Sequence, residues 1–251
     1  MPTLLESTPA GEREFGEHVP EYLQPGYRAL MQSDGFTAIG MWEAIYNRYP
    51  SAEICGHLAR AHYYQTFFLE HPLGHPLHAE HIRQMRLWAE RALSLNPNSS
   101  IGHAMLSAAI GRQAQVTGSQ KEIVRSSWQI QYHSERAIAI DGTWIGHYIL
   151  GNLHRELASV NPMIRAVAQL LGVKIPRGNY ESSLEHFQEI LRQHPDNNTI
   201  YAEMAYTHIR MADFKAASEN FERCFSMPLF KHPLSRYLTA IALEHYRKNR
   251  W

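Results

Sequence analysis

The chain has few cysteines, no net charge and no long apolar run. Its two cysteines, Cys55 and Cys224, lie far apart, which excludes a disulfide framework and indicates reduced thiols in a reducing compartment. Lys plus Arg and Asp plus Glu number 24 each, so no overall field attracts nucleic acid or an anionic membrane, and any electrostatic partner must be met locally. No apolar run approaches the roughly 20 residues of a membrane span, and no signal peptide is recognisable. We therefore expect a cytoplasmic protein without a membrane span.

Alternation of apolar and polar residues with period two is missing as well, which excludes an extensive sheet and predicts an all-α fold. The first 20 residues contain three prolines and two glycines and show no periodicity. We expect an extended N-terminal arm over residues 1–20, followed by a single helical domain over residues 21–251.

What the sequence does contain is one spacing that recurs four times. Each set has four residues, and the second, third and fourth lie three, four and seven positions after the first. A helix-breaking Pro or Gly lies five or six residues before each set. The four sets are Cys55, Leu58, Ala59, His62; His103, Leu106, Ser107, Ile110; His147, Leu150, Gly151, His154; and Tyr201, Met204, Ala205, His208. The spacing matches the first half of a tetratricopeptide repeat, W-x2-L-G-x2-Y. It predicts an α-solenoid of helix pairs, an architecture that builds binding surfaces.

The second half of the repeat is marked by an aromatic residue after a turn. The turns are DGF at 34–36, GNY at 178–180 and ADF at 212–214, and the last two aromatics are 34 residues apart, the period of this repeat class. The first-half sets are spaced by 48, 44 and 54 residues, so the array must contain insertions. We expect an extra short helix within residues 161–177, which begin Asn-Pro, and a polar capping helix over residues 233–249.

The pattern also predicts packing. The small third member of each set lets the partner helix approach, and a large residue of that helix, such as Phe187 or Phe221, fills the space. Stacked pairs form a superhelix whose concave groove is the expected ligand site.

Histidine is abundant, with 16 residues, and its densest run is EHPLGHPLHAEH. The candidate metal ligands are His71, His75, His78 and His81, because imidazole suits zinc. The prolines and glycine of this run instead predict a loop between helices with solvated histidines, and we expect neither a metal nor any other cofactor. The histidines at the last repeat position, His62, His154 and His208, are predicted to be packed, hydrogen-bonded ring residues.

No motif of an enzyme is present, neither a nucleophile elbow nor a glycine-rich phosphate or dinucleotide loop. The glutamates of the helices, such as Glu156 and Glu203, lie near basic residues such as Arg155, and we expect solvated faces there. The sequence therefore predicts a protein that is not an enzyme.

Two basic patches are candidates for partner binding. Arg247, Lys248 and Arg250 lie beside Trp251 at the C-terminus, and Arg83 and Arg86 lie on the helix that begins near residue 77. Cations with an aromatic anchor suit an acidic protein surface, whereas cations at a helix C-terminus also complement the helix dipole. Both interpretations stay open at this stage.

Residues 88–230 resemble the regulator of microtubule dynamics family. The resemblance is carried by WAERALSLNP, SERAIAIDGTWIGHYILGNLHRELASV and MIRAVAQLLGVKIPRGNYESSLEHFQEILRQHP, and most specifically by the helix inserted before the Y-E-x-x-L-x-x-F helix. The chain departs from the family where Lys174 to Pro176 lengthen the turn and where no membrane anchor precedes the domain, so tethering to an organelle is not expected. The resemblance implies association with microtubules.

Two hypotheses about function follow. The first is a non-catalytic scaffold, adaptor or structural subunit whose partners are other proteins, among them a tubulin- or microtubule-linked assembly, with no nucleic acid bound. The second is a repeat module that binds a small ligand or a metal, through the groove or the histidine run, for an enzyme or transporter.

Overall fold

A computed structural model describes residues 13–14, 17–18, 20–69, 74–117, 120–170, 175–230 and 232–249. These residues contain twelve α-helices, and the all-α prediction is confirmed. The helices are α1 (Gln24–Met31), α2 (Gly35–Tyr46), α3 (Ala52–Phe68), α4 (Pro76–Leu95), α5 (Ser100–Thr117), α6 (Gln120–Asp141), α7 (Trp144–Ala158), α8 (Pro162–Leu170), α9 (Tyr180–Gln193), α10 (Asn198–Arg210), α11 (Phe214–Ser226) and α12 (Ser235–Asn249). A 3-10 turn, Glu21–Leu23, precedes α1.

The predicted arm over residues 1–20 falls mostly outside the described residues. Within it, two short strands, β1 (Arg13–Glu14) and β2 (Glu17–His18), pair antiparallel. The division into an arm and one domain stays a prediction.

Helix starts follow local capping chemistry. Ser51 accepts from the Ile54 amide at 3.2 Å, and Asp213 accepts from the Ala216 amide at 3.1 Å. Each oxygen satisfies an amide that the first turn of a helix leaves without an intrahelical partner. Asn198 is the first residue of α10, and its side-chain amide donates to Thr239 of α12 at 3.0 Å.

The helices pair as the repeat predicts. We call α3, α5, α7 and α10 the first helices and α4, α6, α9 and α11 the second helices, because each first helix packs on the second helix of its own repeat. Each second helix also packs on the next first helix, and successive first helices contact each other, which builds the predicted α-solenoid. The inserted helix is α8, between α7 and α9, and α12 packs on α10 and α11 as the terminal cap.

Close helix contact in the third repeat depends on Gly151. A Cβ added there would lie 2.7 Å from Cε1 of Phe187, and Phe187 is fully buried. The predicted pairing of a small residue with a large one is therefore confirmed in this repeat, and Phe221 is equally buried in the next. Cys55 and Cys224 are buried free thiols, as expected, and burial raises the pKa of both to about 11.

Candidate partner-binding surfaces

The concave surface is lined by the first helices and is largely apolar. A pocket lies there, and it is partly open to solvent. Its walls come from all four first helices, including Tyr63 of α3, Met105 of α5, Trp144 of α7 and Ile200 of α10. The predicted groove therefore exists, and its aromatic and aliphatic walls suit an apolar group.

The chain's own segment between α11 and α12 covers this surface. We call residues 227–230 and 232–234 the strap. Nε2 of His232 lies 2.6 Å from the hydroxyl of Tyr64, a residue 168 positions earlier in the chain, and the ring of His232 meets Trp144 edge to face. Leu234 is buried in the core that α1, α2 and α3 form. A polypeptide segment thus occupies the groove that the repeat pattern assigns to a ligand.

The strap holds its histidine in the neutral form. The amide of Leu234 donates to Nδ1 of His232 at 3.2 Å, so Nε2 carries the proton and donates to the Tyr64 oxygen. Burial, with the nearby charge of Arg60, lowers the pKa of His232 well below its usual range. His232 is not among the residues that the sequence predicts, because its contact with Tyr64 has no signal in local spacing.

A buried ion pair joins α7 to α10. Nη2 of Arg155 lies 2.9 Å from Oε2 of Glu203, and their side chains are only 10% and 12% exposed. The other carboxylate oxygen accepts from the hydroxyl of Tyr148 at 2.9 Å. The expectation of solvated faces is wrong for this pair, because both residues point into the interface between two first helices. Oε2 accepts no hydrogen bond among the described residues, so its contact with Arg155 rests on charge, while Nη1 of Arg155 donates to the backbone carbonyl oxygen of Glu203 at 3.0 Å.

Histidines form pairs across three of the repeats. The Nδ1 atoms of His62 and His81 are 2.9 Å apart, those of His103 and His133 are 2.8 Å apart, and those of His147 and His186 are 3.0 Å apart. In each pair one residue comes from the first helix and the other from the second helix. The packed, hydrogen-bonded role predicted for His62 is confirmed, and His154 stacks on His186.

These pairs favour neutral imidazoles. Nε2 of His103 is 3.1 Å from the carbonyl oxygen of Pro97 and donates to it, which leaves Nδ1 to accept from His133. Burial, with His81 beside it, lowers the pKa of His62 to about 3. Burial, with His147 and His154 nearby, lowers the pKa of His186 to about 4. Protonating a pair would place two positive charges about 3 Å apart in a desolvated interface.

The run with the candidate metal ligands is more ordered than expected. Pro76 begins α4, because proline is favoured in the first turn of a helix, and His78 and His81 are therefore buried helix residues and not solvated loop residues. His75 is the N-cap, with Nδ1 accepting from the Leu77 amide at 3.3 Å, and His71 lies outside the described residues. Within the part of the chain that the structure describes, no three His, Cys, Asp or Glu side chains converge as a metal site requires.

The basic candidates are paired along their own helices. Arg83 contacts Glu80 at 2.6 Å, Arg86 contacts Glu90 at 2.8 Å, and Lys248 contacts Glu244 at 2.6 Å. The three cations are exposed, and each is matched by a carboxylate one turn away, so they present little excess charge. Arg247 is exposed in the last turn of α12, while Arg250 and Trp251 lie outside the described residues. Their role as partner contacts stays a prediction.

Known structures share this fold. A thermophilic tetratricopeptide protein, TTC0263 from Thermus thermophilus, superposes with a TM-score of 0.61 at 15% identity, over 88% of this chain and 96% of its own. MamA from Desulfovibrio magneticus gives a TM-score of 0.46 at 14% identity, over 82% and 92% of the two chains. At such low identity the first of these similarities shows the tetratricopeptide-like fold alone. None of the helices in the described ranges is both long and apolar enough to cross a bilayer.

A family assignment comes from sequence. A search of the curated proteins finds no match. The family model described as regulator of microtubule dynamics protein 1-3 matches residues 31–232, which is most of the chain. The match begins well before residue 88, where the sequence resemblance starts, and so includes α2 and α3. The chain belongs to the regulator of microtubule dynamics family.

Proposed function

We propose that this chain is a non-catalytic scaffold that binds another protein through the exposed face of α12. The observation that carries the proposal is the occupation of the concave groove by the strap. With the groove covered, α12 supplies the surface on that side of the solenoid, since Tyr237 packs edge to face on Phe67 of α3. A partner that approaches the concave side therefore meets α12.

The exposed face of α12 has the chemistry of a protein contact. Ile241 and Lys248 follow Tyr237 by 4 and 11 residues, a spacing that puts all three on one stripe of a helix. Tyr237 and Ile241 are each about two-fifths exposed although apolar. Because Lys248 is paired with Glu244, the stripe recognises a partner mainly by shape and apolar contact.

We propose a microtubule-linked partner, with family membership as the support. Tubulin surfaces are acidic, whereas Arg83, Arg86 and Lys248 are paired with carboxylates of their own helices. Binding through the α12 stripe should therefore depend only weakly on ionic strength, in contrast to binding through unpaired cations.

Co-sedimentation of the full chain with stabilised microtubules tests this function. We expect the wild type to pellet with microtubules, and we expect Ile241→Glu to lower the affinity at least about tenfold, since it places a charge in an apolar contact. Leu87→Glu is the matched control, because Leu87 is similarly exposed on α4 of the outer layer. A wild type that stays in the supernatant would refute the microtubule assignment. An Ile241→Glu variant that pellets normally would refute the α12 contact alone.

The pocket beneath the strap favours a second candidate, the binding of a small ligand. The surface that it exposes is mostly apolar, although Arg60 and Asn197 also line it, and Ala108 of α5 lies in its wall. Mass spectrometry of the protein under native conditions would reveal a bound molecule as an added mass. Ala108→Phe should abolish that adduct by filling the pocket, and a wild type without any adduct would remove this candidate.

A further inference from the structure

The strap lies in the groove as a short peptide ligand would. The backbone amide of Phe230 donates to Oδ1 of Asn198 at 3.1 Å, and the Phe230 ring packs against the ring of His194. Two residues later His232 is buried, and two residues after that Leu234 is buried. The strap is therefore held by one backbone hydrogen bond and by three side chains at alternate positions.

The groove keeps a polar group that the strap does not use. Asn197 is the N-cap of α10, is fully buried and lines the pocket. An N-cap side chain ordinarily accepts from an amide of the first helical turn. The side-chain oxygen of Asn197 instead accepts from the Thr199 hydroxyl at 2.7 Å, and its Nδ2 has no hydrogen-bond partner in the part of the chain that the structure describes. A buried donor without an acceptor costs free energy that a ligand oxygen would recover.

The strap also leaves space beside it. The partly open pocket lies between His232 and Leu234 of the strap and groove residues such as Trp144. Where the strap joins α12, Oγ of Ser235 is buried without a hydrogen-bond partner among the described residues. Protein interiors are ordinarily filled and their polar groups paired. The strap therefore neither fills the groove nor satisfies it.

Two consecutive asparagines indicate what a better occupant is made of. Asn198 accepts from a backbone N–H of the strap, whereas Asn197 offers an unused N–H donor. A peptide backbone carries both a donor and an acceptor at each residue, so it can use both side chains. A purely apolar molecule would use neither. The polar chemistry of the groove therefore fits a polypeptide segment.

We propose that the strap is an autoinhibitory occupant of a peptide-binding groove. A partner protein displaces it with a segment that carries an aromatic residue, a histidine two positions later and a leucine two positions after that, which are the residue types that Phe230, His232 and Leu234 present. Because the strap is tethered, it competes at an effective concentration of about millimolar. The apparent affinity of the groove for a partner is lowered by the fraction of chains in which the strap is bound.

Fluorescence anisotropy of the full chain with a labelled strap peptide tests the proposal. The probe is MPLFKHPLS, the sequence of residues 227–235. The wild type should bind it weakly, and His232→Ala in the chain should raise the affinity at least about tenfold by releasing the strap. Leu229→Ala is the matched control, because Leu229 belongs to the same strap but is exposed, and it should behave like the wild type. Introducing His232→Ala and Leu234→Ala into the peptide should lower its affinity for the opened chain at least about tenfold.

Two further measurements keep the test independent of how well the variants fold. In the wild type, saturating peptide should speed hydrogen exchange of the α12 amides, because α12 follows the strap directly. Ile241→Glu should leave the affinity for the peptide unchanged, so this proposal and the α12 contact fail separately.

Three results would overturn the proposal. The first is an opened chain of wild-type helix content by circular dichroism that does not bind the peptide. The second is equal affinity of the wild type and His232→Ala. The third is a wild-type dimer in light scattering that excess peptide dissociates, which would assign the groove to the strap of a second copy and not to a partner protein.

Discussion

Replacing Gly151 by alanine should destabilise the protein, although alanine is the better helix former. In the interior of a helix, Gly→Ala ordinarily stabilises by about 1 kcal/mol. At position 151 the new Cβ would lie 2.7 to 3.1 Å from three ring atoms of Phe187. That ring is fully buried, so it can yield only by moving its own helix, and overpacking of this kind costs about 1–3 kcal/mol.

The same substitution should change sign once the ring is gone. Phe187→Ala alone should cost about 3–5 kcal/mol, because it removes a buried aromatic side chain and leaves a cavity. In that background the added methyl of Gly151→Ala occupies empty space and keeps its helix propensity, so it should stabilise by about 1 kcal/mol. The two changes are therefore coupled by about 1–3 kcal/mol in a double-mutant cycle.

Denaturant unfolding followed by circular dichroism measures each free energy in the cycle. Gly40→Ala is the control, because position 40 lies within α2 and a Cβ there would meet nothing within 4 Å. It should stabilise the protein by about 1 kcal/mol in either background. If Gly151→Ala behaves like Gly40→Ala in both backgrounds, the close contact between α7 and α9 is wrong.

Two further predictions concern buried charge. His62 and His186 bind fewer protons in the folded chain than in the unfolded chain, so their contribution to stability is present above about pH 6.5 and is lost as the pH falls toward the lowered values of about 3 and about 4. Between pH 7 and pH 5, the free energy of unfolding measured in denaturant should fall by about 2 kcal/mol for each histidine. His62→Phe should remove the part of this fall that His62 causes. An unchanged dependence of the unfolding free energy on pH would contradict the pairing. Glu203→Gln should cost about 3–5 kcal/mol in the same assay by leaving the Arg155 guanidinium buried without its carboxylate, whereas Arg155→Met with Glu203→Leu should restore most of the loss. Equal costs for the single and double variants would contradict the ion pair.

The helical array could be predicted because its determinants are local. Ser51 and Asp213 cap helices with amides only three residues away. Gly151 and Phe187 occupy fixed positions of a repeat, so the spacing alone places them opposite each other. The inserted helix was predictable for the same reason, since Asn161 and Pro162 are a helix start that is recognisable in any sequence context.

The candidate surfaces were harder to predict because they depend on contacts between distant residues. Arg155 and Glu203 each lie on a helix face that looks polar and solvated, and only the stacking of α7 on α10 buries them. Beside the other proline and the glycine of its run, Pro76 suggests a loop, although proline is as common at the start of a helix. His78 and His81 were therefore predicted to be solvated, whereas they are buried in α4. In both cases the residue type alone does not show which helix lies opposite.

The strap changes what the repeat pattern implies about binding. A solenoid of this kind leaves a concave groove open, and a partner would be expected to enter it. In this chain His232 and Leu234 lie in that groove, where His232 contacts Tyr64 of α3 and Leu234 packs against α1, α2 and α3. The strap therefore links the last helices of the array to the first. Because the strap is held by a neutral imidazole, a hydrogen bond and apolar burial, removing it would expose aromatic residues such as Trp144 to water. A partner must therefore either bind the exposed face of α12 or replace the strap with contacts of comparable strength.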